Sequence, residues 1–421
     1  MNPLLTATHL VDWADERRAQ DMLPLLIGRL VLAAVSPLRI DFPSGDSVNR
    51  PGYDGFLQTV EGAPLVPAGQ SVWEMGTDQN PAKKANGDYA TRKADPGGVM
   101  PAETTFVFVT ARRWQGKAEW AEEKRAEGVW LDVQAFDAVD LEQWLDRCPA
   151  VAAWAYRQIR LGTPDGLRDL EEVWELWAMR TTPSVTPALF TAGRDEGVDR
   201  VRNWLTGPAA CLRVRADSAD EAVGFIAAVV QSLDPQTRDH INTRAVLVTS
   251  PDAWRAVASG RTPSILIAGS PELGSEPQAV TRGHRVAVAY GNDSVGVAVD
   301  VCLPPLRRNA LETALRGMDV PDERCRELAA ESRGRVAAVV DLLGGGVRAP
   351  HWAAPAVASQ LIPFLLAGSW SQTPGDLDAV GQLARLTPDE LSQRLARWAN
   401  ETDPPLRPVP GMGEWVSRQR A

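Results

Sequence analysis

Lysine is scarce in this chain and stops early. All five lysines (Lys83, Lys84, Lys93, Lys117 and Lys124) lie in the first third of 421 residues, and beyond them Arg replaces Lys throughout. A phosphate-binding lysine of the Walker type is therefore excluded from the last two thirds of the chain. Cysteine and histidine are scarce too. Cys148, Cys211, Cys302 and Cys325 form no CxxC pair, and His9, His240, His284 and His351 are scattered. That spacing argues against a zinc site or a disulfide framework and suits buried thiols of a cytosolic protein. No long apolar run is present: "MLPLLIGRLVLAAV" carries Pro24 and Arg29 and is too short to span a bilayer. The opening "MNPLLTATHLVDWADERR" lacks the basic and apolar blocks of a signal peptide. The expectation is a soluble, cytoplasmic protein with no membrane partner. Basic excess is also missing: at a net charge of -10, nucleic acid would bind only at a local cleft or through a metal.

The length favours two or three domains. Thr8 to Val35 reads as helical, with Leu23, Leu26, Ile27, Leu30 and Val31 in one apolar stripe. "GYDGFLQTVEGAPLVPAGQSVWEMG" reads as two strands around a Gly/Pro turn, and "NPAKKANGDYATRK" as a short helix. "TTFVFVTAR" and "VWLDVQAFD" read as strands, with helices after each. This order predicts a mixed sheet covered by helices over residues 1–160. Residues 161–185 read as a connector with one amphipathic helix. Over 186–302, "ACLRVRADS", "RAVLVTS", "PSILIAG" and "HRVAVAY" alternate with helical or turn-rich segments, the rhythm of a parallel α/β sheet. Residues 303–421 read as a helical lid and C-terminal helical region. They end in "LRPVPGMGEWVSRQRA", a strand and turn with little to pair with, the pattern of a truncated region.

The chemistry gathers in the first of these units. Hydrolysis of a phosphodiester with Mg²⁺ needs hard oxygen ligands and a cation near the attacking water. Asp54 lies between a tyrosine and a glycine in "GYDG", and Glu74 ends "SVWE" twenty residues on. Paired across a hairpin, their carboxylates converge, and converging acids call for a cation. Glu16 on the first helix is a candidate third oxygen. Lys84, Asp88 and Arg92 share one helix face and Tyr89 lies beside it. The plain alternative is a solvated helix with an ordinary Lys84–Asp88 pair.

Glu16, "GYDG", "WEMG" and the strand–helix–strand order after them resemble the PD-(D/E)xK, or restriction-endonuclease-like, superfamily over Met1 to Ile159. The combination with "KKANGDYATR" is similar to nuclease modules of large bacterial NTPase-linked proteins, many associated with antiphage defence. The resemblance implies a Mg²⁺- or Mn²⁺-dependent endonuclease, acting on DNA in preference to RNA. Asp54 and Glu74 would be the metal ligands and Lys84 and Glu16 the catalytic side chains, with Lys83 in reserve. Lys83, Tyr89 and Arg92 would contact nucleic acid. One departure matters: the lysine usually found two residues after the acid is Gly76 here. Lys84 is the expected substitute.

"FTAGRDEGVDRVRNWL" resembles the opening of AAA+ and STAND NTPase modules, and "LPPLRRNALETALRGM" the lid after such a core, over Thr186 to Gly346. At the expected P-loop, however, the chain reads "GPAACLRVRADSADEAVGF", with no GK[ST]. No ATP hydrolysis is expected and no nucleotide-binding residue is assigned. Arg194, Arg213, Arg215, Arg333 and Arg335 read first as surface and lid salt links. Ser218 and Asp220 fit a helix start. Two functions follow: a metal-dependent effector nuclease controlled by a degenerate NTPase-like unit, with a protein trigger or a second copy as partner, or an inactive scaffold with two pseudo-enzyme units.

Overall fold

The structure is a computed structural model, which describes residues 3–43 and 52–344 except 274, 275, 293 and 295, and isolated positions 375, 378, 379 and 382. Two compact units divide the chain, Met1–Val340 and Asp341–Ala421. The elements below belong to the first, apart from the last turn of its final helix. The helical patterns read after residue 350, and the tail, lie outside the described residues.

The described part is mixed α/β with two mixed sheets. The first sheet begins after α1 (Ala7–Trp13) and α2 (Arg17–Ala34). It contains β1 (Arg39–Asp41), β2 (Gly55–Thr59) and β3 (Gly69–Gly76), then β4 (Thr104–Thr110) after α3 (Pro81–Ala94) and β5 (Asp132–Phe136) after α4 (Lys117–Ala126). Strand order follows the chain, β1-β2-β3-β4-β5. β1–β2–β3 are antiparallel, and β3–β4–β5 are parallel because a helix crosses over between them. α5 (Ala138–Arg147) and α6 (Pro149–Gln158) follow.

Period-two alternation on β3 and β4 builds a core on each face. Trp73, Met75, Val107 and Val109 point to α2. Val72, Phe106 and Phe108 point to α3 and α4, against Tyr89 and Trp120. Glu74 and Gly76 share the second of these faces with Val72.

The helix read over Thr8–Val35 is broken after Trp13. The cause lies 97 or more residues away in sequence. Arg112, 8 % exposed, donates to the carbonyls of Val11 (3.2 Å) and Ala14 (3.0 Å), to Asp15 Oδ1 (2.7 Å) and to Thr77 O (2.9 Å). It captures the carbonyls that a continuous helix would use internally.

The second sheet has the order β11-β7-β10-β9-β8-β6. Its strands are β6 (Leu167–Asp169), β7 (Cys211–Arg215), β8 (Ala245–Val248), β9 (Ile265–Ala268), β10 (Arg285–Tyr290) and β11 (Val301–Cys302). The strands from β7 on are parallel, as read. β6 is an antiparallel edge strand on β8, so the segment read as a connector supplies part of the sheet, followed by α7 (Leu170–Ala178). The helices between strands are α8 (Ala188–Thr191), α9 (Asp195–Thr206), α10 (Ala219–Gln231), α11 (Pro235–Asn242), α12 (Pro251–Ala258) and α13 (Glu276–Thr281). α14 (Arg308–Arg316), α15 (Asp322–Glu331) and α16 (Val336–Leu343) close the described part.

The two sheets share helices. On α6, Val151, Ala152 and Trp154 belong to the core of the first sheet, while Ala150 belongs to that of the second. On α2, Arg29 donates to both oxygens of Glu171 in α7 (2.5 and 2.7 Å) and lies 4.3 Å over the Trp154 ring. Asn242 of α11 donates to the same carboxylate at 3.2 Å.

Candidate functional site

The β2–β3 hairpin pairs Gly55 with Trp73, so the antiparallel register sets Asp54 opposite Glu74. Asp54 Oδ2 accepts a hydrogen bond from the Met75 N–H at 2.8 Å. Glu74 is 4 % exposed. Burial, and then repulsion from Asp54, push its carboxyl up to about 8, although a hydrogen bond from Arg92 pulls the other way. Arg92 alone does not offset the burial of Glu74 and the charge of Asp54.

α3 starts where Asn80 accepts from the Lys83 N–H and Pro81 takes the first helical position. The helix brings Lys84 to the end of β3, where Lys84 Nζ donates to Asp88 Oδ1 at 2.8 Å. Burial lowers the Lys84 pKa, but Asp88, Asp54 and Glu74 outweigh it and the net shift is upward. Burial also raises the Asp88 carboxyl, whose Oδ2 is sealed from solvent with no hydrogen-bond partner among the described residues.

Gly76 explains how the lysine fits. A Cβ built on Gly76 would stand 2.8 Å from Lys84 Cγ and 3.4 Å from its Cε. The stem of Lys84 thus lies in the space that a side chain at position 76 would fill. Gly76 is on the same strand face as Glu74, two residues on. Beside them a cleft of about 90 Å³ is lined by Asp54, Met75, Gly76, Thr77 and Lys84 and, from α2, by Gln20, Leu23 and Pro24, with Glu74 next to this lining and not part of it.

The other candidates divide. Arg92 reaches the site: it donates from Nε to Glu74 and from Nη2 to the Gly52 carbonyl, and lies 4.5 Å over the Tyr53 ring. Tyr89 does not. It is 2 % exposed, its rings pack edge-on against Phe106 and Trp120, and its hydroxyl donates to Lys124 O at 3.3 Å. As a phosphate contact Tyr89 is therefore corrected to a core residue. Lys83 is exposed and does not line the cleft. Glu16 stands at the N-cap of α2 without capping it, paired with Arg18 at 2.6 Å, and is not among the cleft walls. Gln20, one turn on from Glu16, lines the cleft instead, and Asp88 holds the lysine. Gln20 could have been found from its four-residue spacing to Glu16, whereas the Lys84–Asp88 pair was read from the same spacing in the sequence.

In the second sheet, a crevice of about 20 Å³ lies past the ends of β7, β10 and β11, between Arg194, Asp217, Glu221, Asn292 and Arg335. Ser218 caps α10 by accepting from the Glu221 N–H at 3.1 Å. The Glu221 carboxylate, 1 % exposed, pairs with the buried Arg194 at 2.8 Å. Arg194 also donates to the carbonyls of Phe190 and Pro304. Arg213 pairs with Glu276 at 2.9 Å, and Arg215 donates to Cys302 Sγ at 3.6 Å. Arg333 has a positive φ of 53°, ahead of α16.

Among the described residues no group of three or more His, Cys, Asp or Glu side chains is gathered as a metal cluster. Two facing acids with a raised carboxyl between them still fit a hard divalent ion that retains water ligands. No described helix is long and apolar enough to cross a membrane. No family model matches the chain, and no curated protein matches it.

Proposed function

We propose that the first sheet and its helices form a restriction-endonuclease-like, Mg²⁺- or Mn²⁺-dependent nuclease, acting on DNA in preference to RNA, whose lysine has moved from strand to helix. The observation that carries this reading is the seat of the Lys84 stem over Gly76. A solvated helix has no need to send a lysine stem across a neighbouring strand, nor to leave a glycine beneath it.

In this mechanism Asp54 and Glu74 would hold the ion, which would supply charge stabilisation and an acidified water. Lys84, fixed by Asp88, orients the attacking water and balances negative charge beside the scissile phosphate. Gln20 faces Lys84 across the cleft and is placed to hydrogen-bond a backbone phosphate or water. Arg92, beside Glu74, would be placed to meet a phosphate as well. By resemblance the biological setting is antiphage defence. The second sheet and its helices would act without hydrolysis, because the start of α10 is already taken by the Glu221 carboxylate and its Arg194 partner.

The test is cleavage of plasmid and single-stranded DNA with Mg²⁺, Mn²⁺ or EDTA. Asp54→Ala, Glu74→Ala and Lys84→Ala should each abolish metal-dependent cleavage while the protein stays folded. Full activity in all three removes the proposal.

A second reading, an inactive scaffold, is favoured by one specific observation. Glu74 is already paired with Arg92 and Asp54 with the Met75 N–H. Tight partner binding without cleavage under any metal would select it.

A further inference from the structure

A second cluster of charge lies far from these carboxylates in sequence. Arg244 precedes β8, and its Nε is sealed from solvent with no hydrogen-bond partner among the described residues. Arg285 opens β10 and donates from Nε to the Gly207 carbonyl at 2.7 Å. Neither arginine forms an ion pair with a described carboxylate, whereas Arg29, Arg157, Arg194 and Arg213 all do.

The sheet brings the two together. Ala245 and Arg285 both stand level with Ile265 of β9, the strand between them. Two strand spacings, about 10 Å, separate their backbones, within reach of two long side chains. His240 in α11 lies four residues before Arg244 and is half-buried. Electrostatics agree with the crowding that this register sets up. Burial lowers the pKa of Arg244 and Arg285, and the Arg285 charge lowers Arg244 further. His240 is pushed down to about 4 by burial and by repulsion from both. Arg244 also acts on the buried Cys148 at the α5–α6 junction, pulling down a thiol that burial drives up to about 12. No carboxylate contributes to any of these shifts.

Like charges held half-buried against each other destabilise a fold unless an anion joins them. Two guanidinium groups offer paired N–H donors, which match the oxygens and double charge of a phosphate better than a single carboxylate. A neutral His240 adds one further donor. We propose that this amino-terminal edge of the second sheet, at Arg244, Arg285 and His240, is a binding site for a phosphate group.

The site stands whether or not the first sheet is a nuclease. The experiment uses the full chain, with thermal melting and calorimetric titration at constant ionic strength. Inorganic phosphate should raise the melting temperature above a chloride control. Arg244→Gln and Arg285→Gln should each weaken phosphate binding about tenfold, the loss of one charge-assisted contact. Arg308→Gln, at an exposed arginine of α14 paired with Glu312, should leave it unchanged. A mononucleotide or a short single-stranded oligonucleotide binding more tightly than inorganic phosphate assigns the source of the group, and equal affinity assigns free phosphate. In phosphate-free buffer Arg244→Gln should melt no lower than the parent, since it removes an uncompensated cation. Three results overturn the proposal: no phosphate effect beyond chloride, an effect unaltered in the double variant, or a marked loss of stability in phosphate-free Arg244→Gln.

Discussion

Adding a single methyl group at Gly76 tests whether the position of Lys84 matters. In Gly76→Ala the new Cβ meets Lys84 Cγ at 2.8 Å, where ordinary contact begins at 3.4 Å, so the stem must retreat by about 0.6 Å. Gly76 lies in β3, and its φ is not in the left-handed region, so the backbone accepts alanine and the penalty is steric alone. Overpacking costs about 1–3 kcal/mol, and a half-buried, flexible stem puts this case near 1. Melting should fall by only about 1–2 °C in a protein of this size. Cleavage should fall much further, because misplacing a reacting group by even about 1 Å is worth up to roughly 100-fold. The assay is metal-dependent plasmid nicking beside a melting curve on the same sample. A second variant makes the logic two-sided: Gly76→Lys with Lys84→Ala returns the lysine to the strand, on the face of Glu74. It should recover to within about tenfold of the parent, whereas Lys84→Ala alone should lose roughly 100-fold or more. Full activity in Gly76→Ala, or in Lys84→Ala, refutes the idea that the seat over Gly76 serves catalysis.

Other expectations concern stability. Glu74, raised from 4.5 to about 8 in the fold, favours the folded state fully below pH 4.5, and that contribution is lost as pH rises through 8. At about 1.4 kcal/mol per pH unit, metal-free protein should lose up to roughly 5 kcal/mol over that window. Denaturant midpoints should show the fall, Glu74→Gln should flatten it, and an equal slope in both proteins would count against it. Arg112→Ala should destabilise by about 3 kcal/mol or more by freeing four acceptors. Hydrogen exchange should accelerate over residues 7–16, and unchanged protection there would rule out Arg112 as the cap of α1. Arg194→Met should destabilise by about 3–5 kcal/mol by stranding the Glu221 carboxylate, and Arg194→Met with Glu221→Leu should regain most of it. A double variant no better than the single one would show that the pair does not act as a unit.

The apolar runs made the strands legible: "TTFVFVT" and "RVAVAY" are buried along almost their whole length, as such runs must be. β6 escaped because three residues, Leu167 to Asp169, carry no period. The break after Trp13 escaped because its cause, Arg112, is remote in sequence. In the site, the facing acids and Lys84 were legible because a hairpin and a helix turn obey fixed spacings. Tyr89 was misplaced although the helix itself held the answer. At about 100° per residue, five residues after Lys84 point some 140° away, into the core, while Asp88 points within about 40°. That Asp88 Oδ2 and Arg244 Nε find no partner among the described residues was invisible in the sequence, since only the fold decides which groups meet.

The helices common to both sheets set a limit on how this chain could have been assembled by recombination. A crossover near residue 160 would separate Ala150 from the β-sheet it buries, and would leave Arg29 on α2 without Glu171. Each half would then present a small wound: an apolar spot on α6 and an orphan charge on the helix that walls the cleft. Exchange of the front half between lineages would succeed only if α7 and α11 travelled with it, so inheritance should join these segments more tightly than the linear order of the chain suggests.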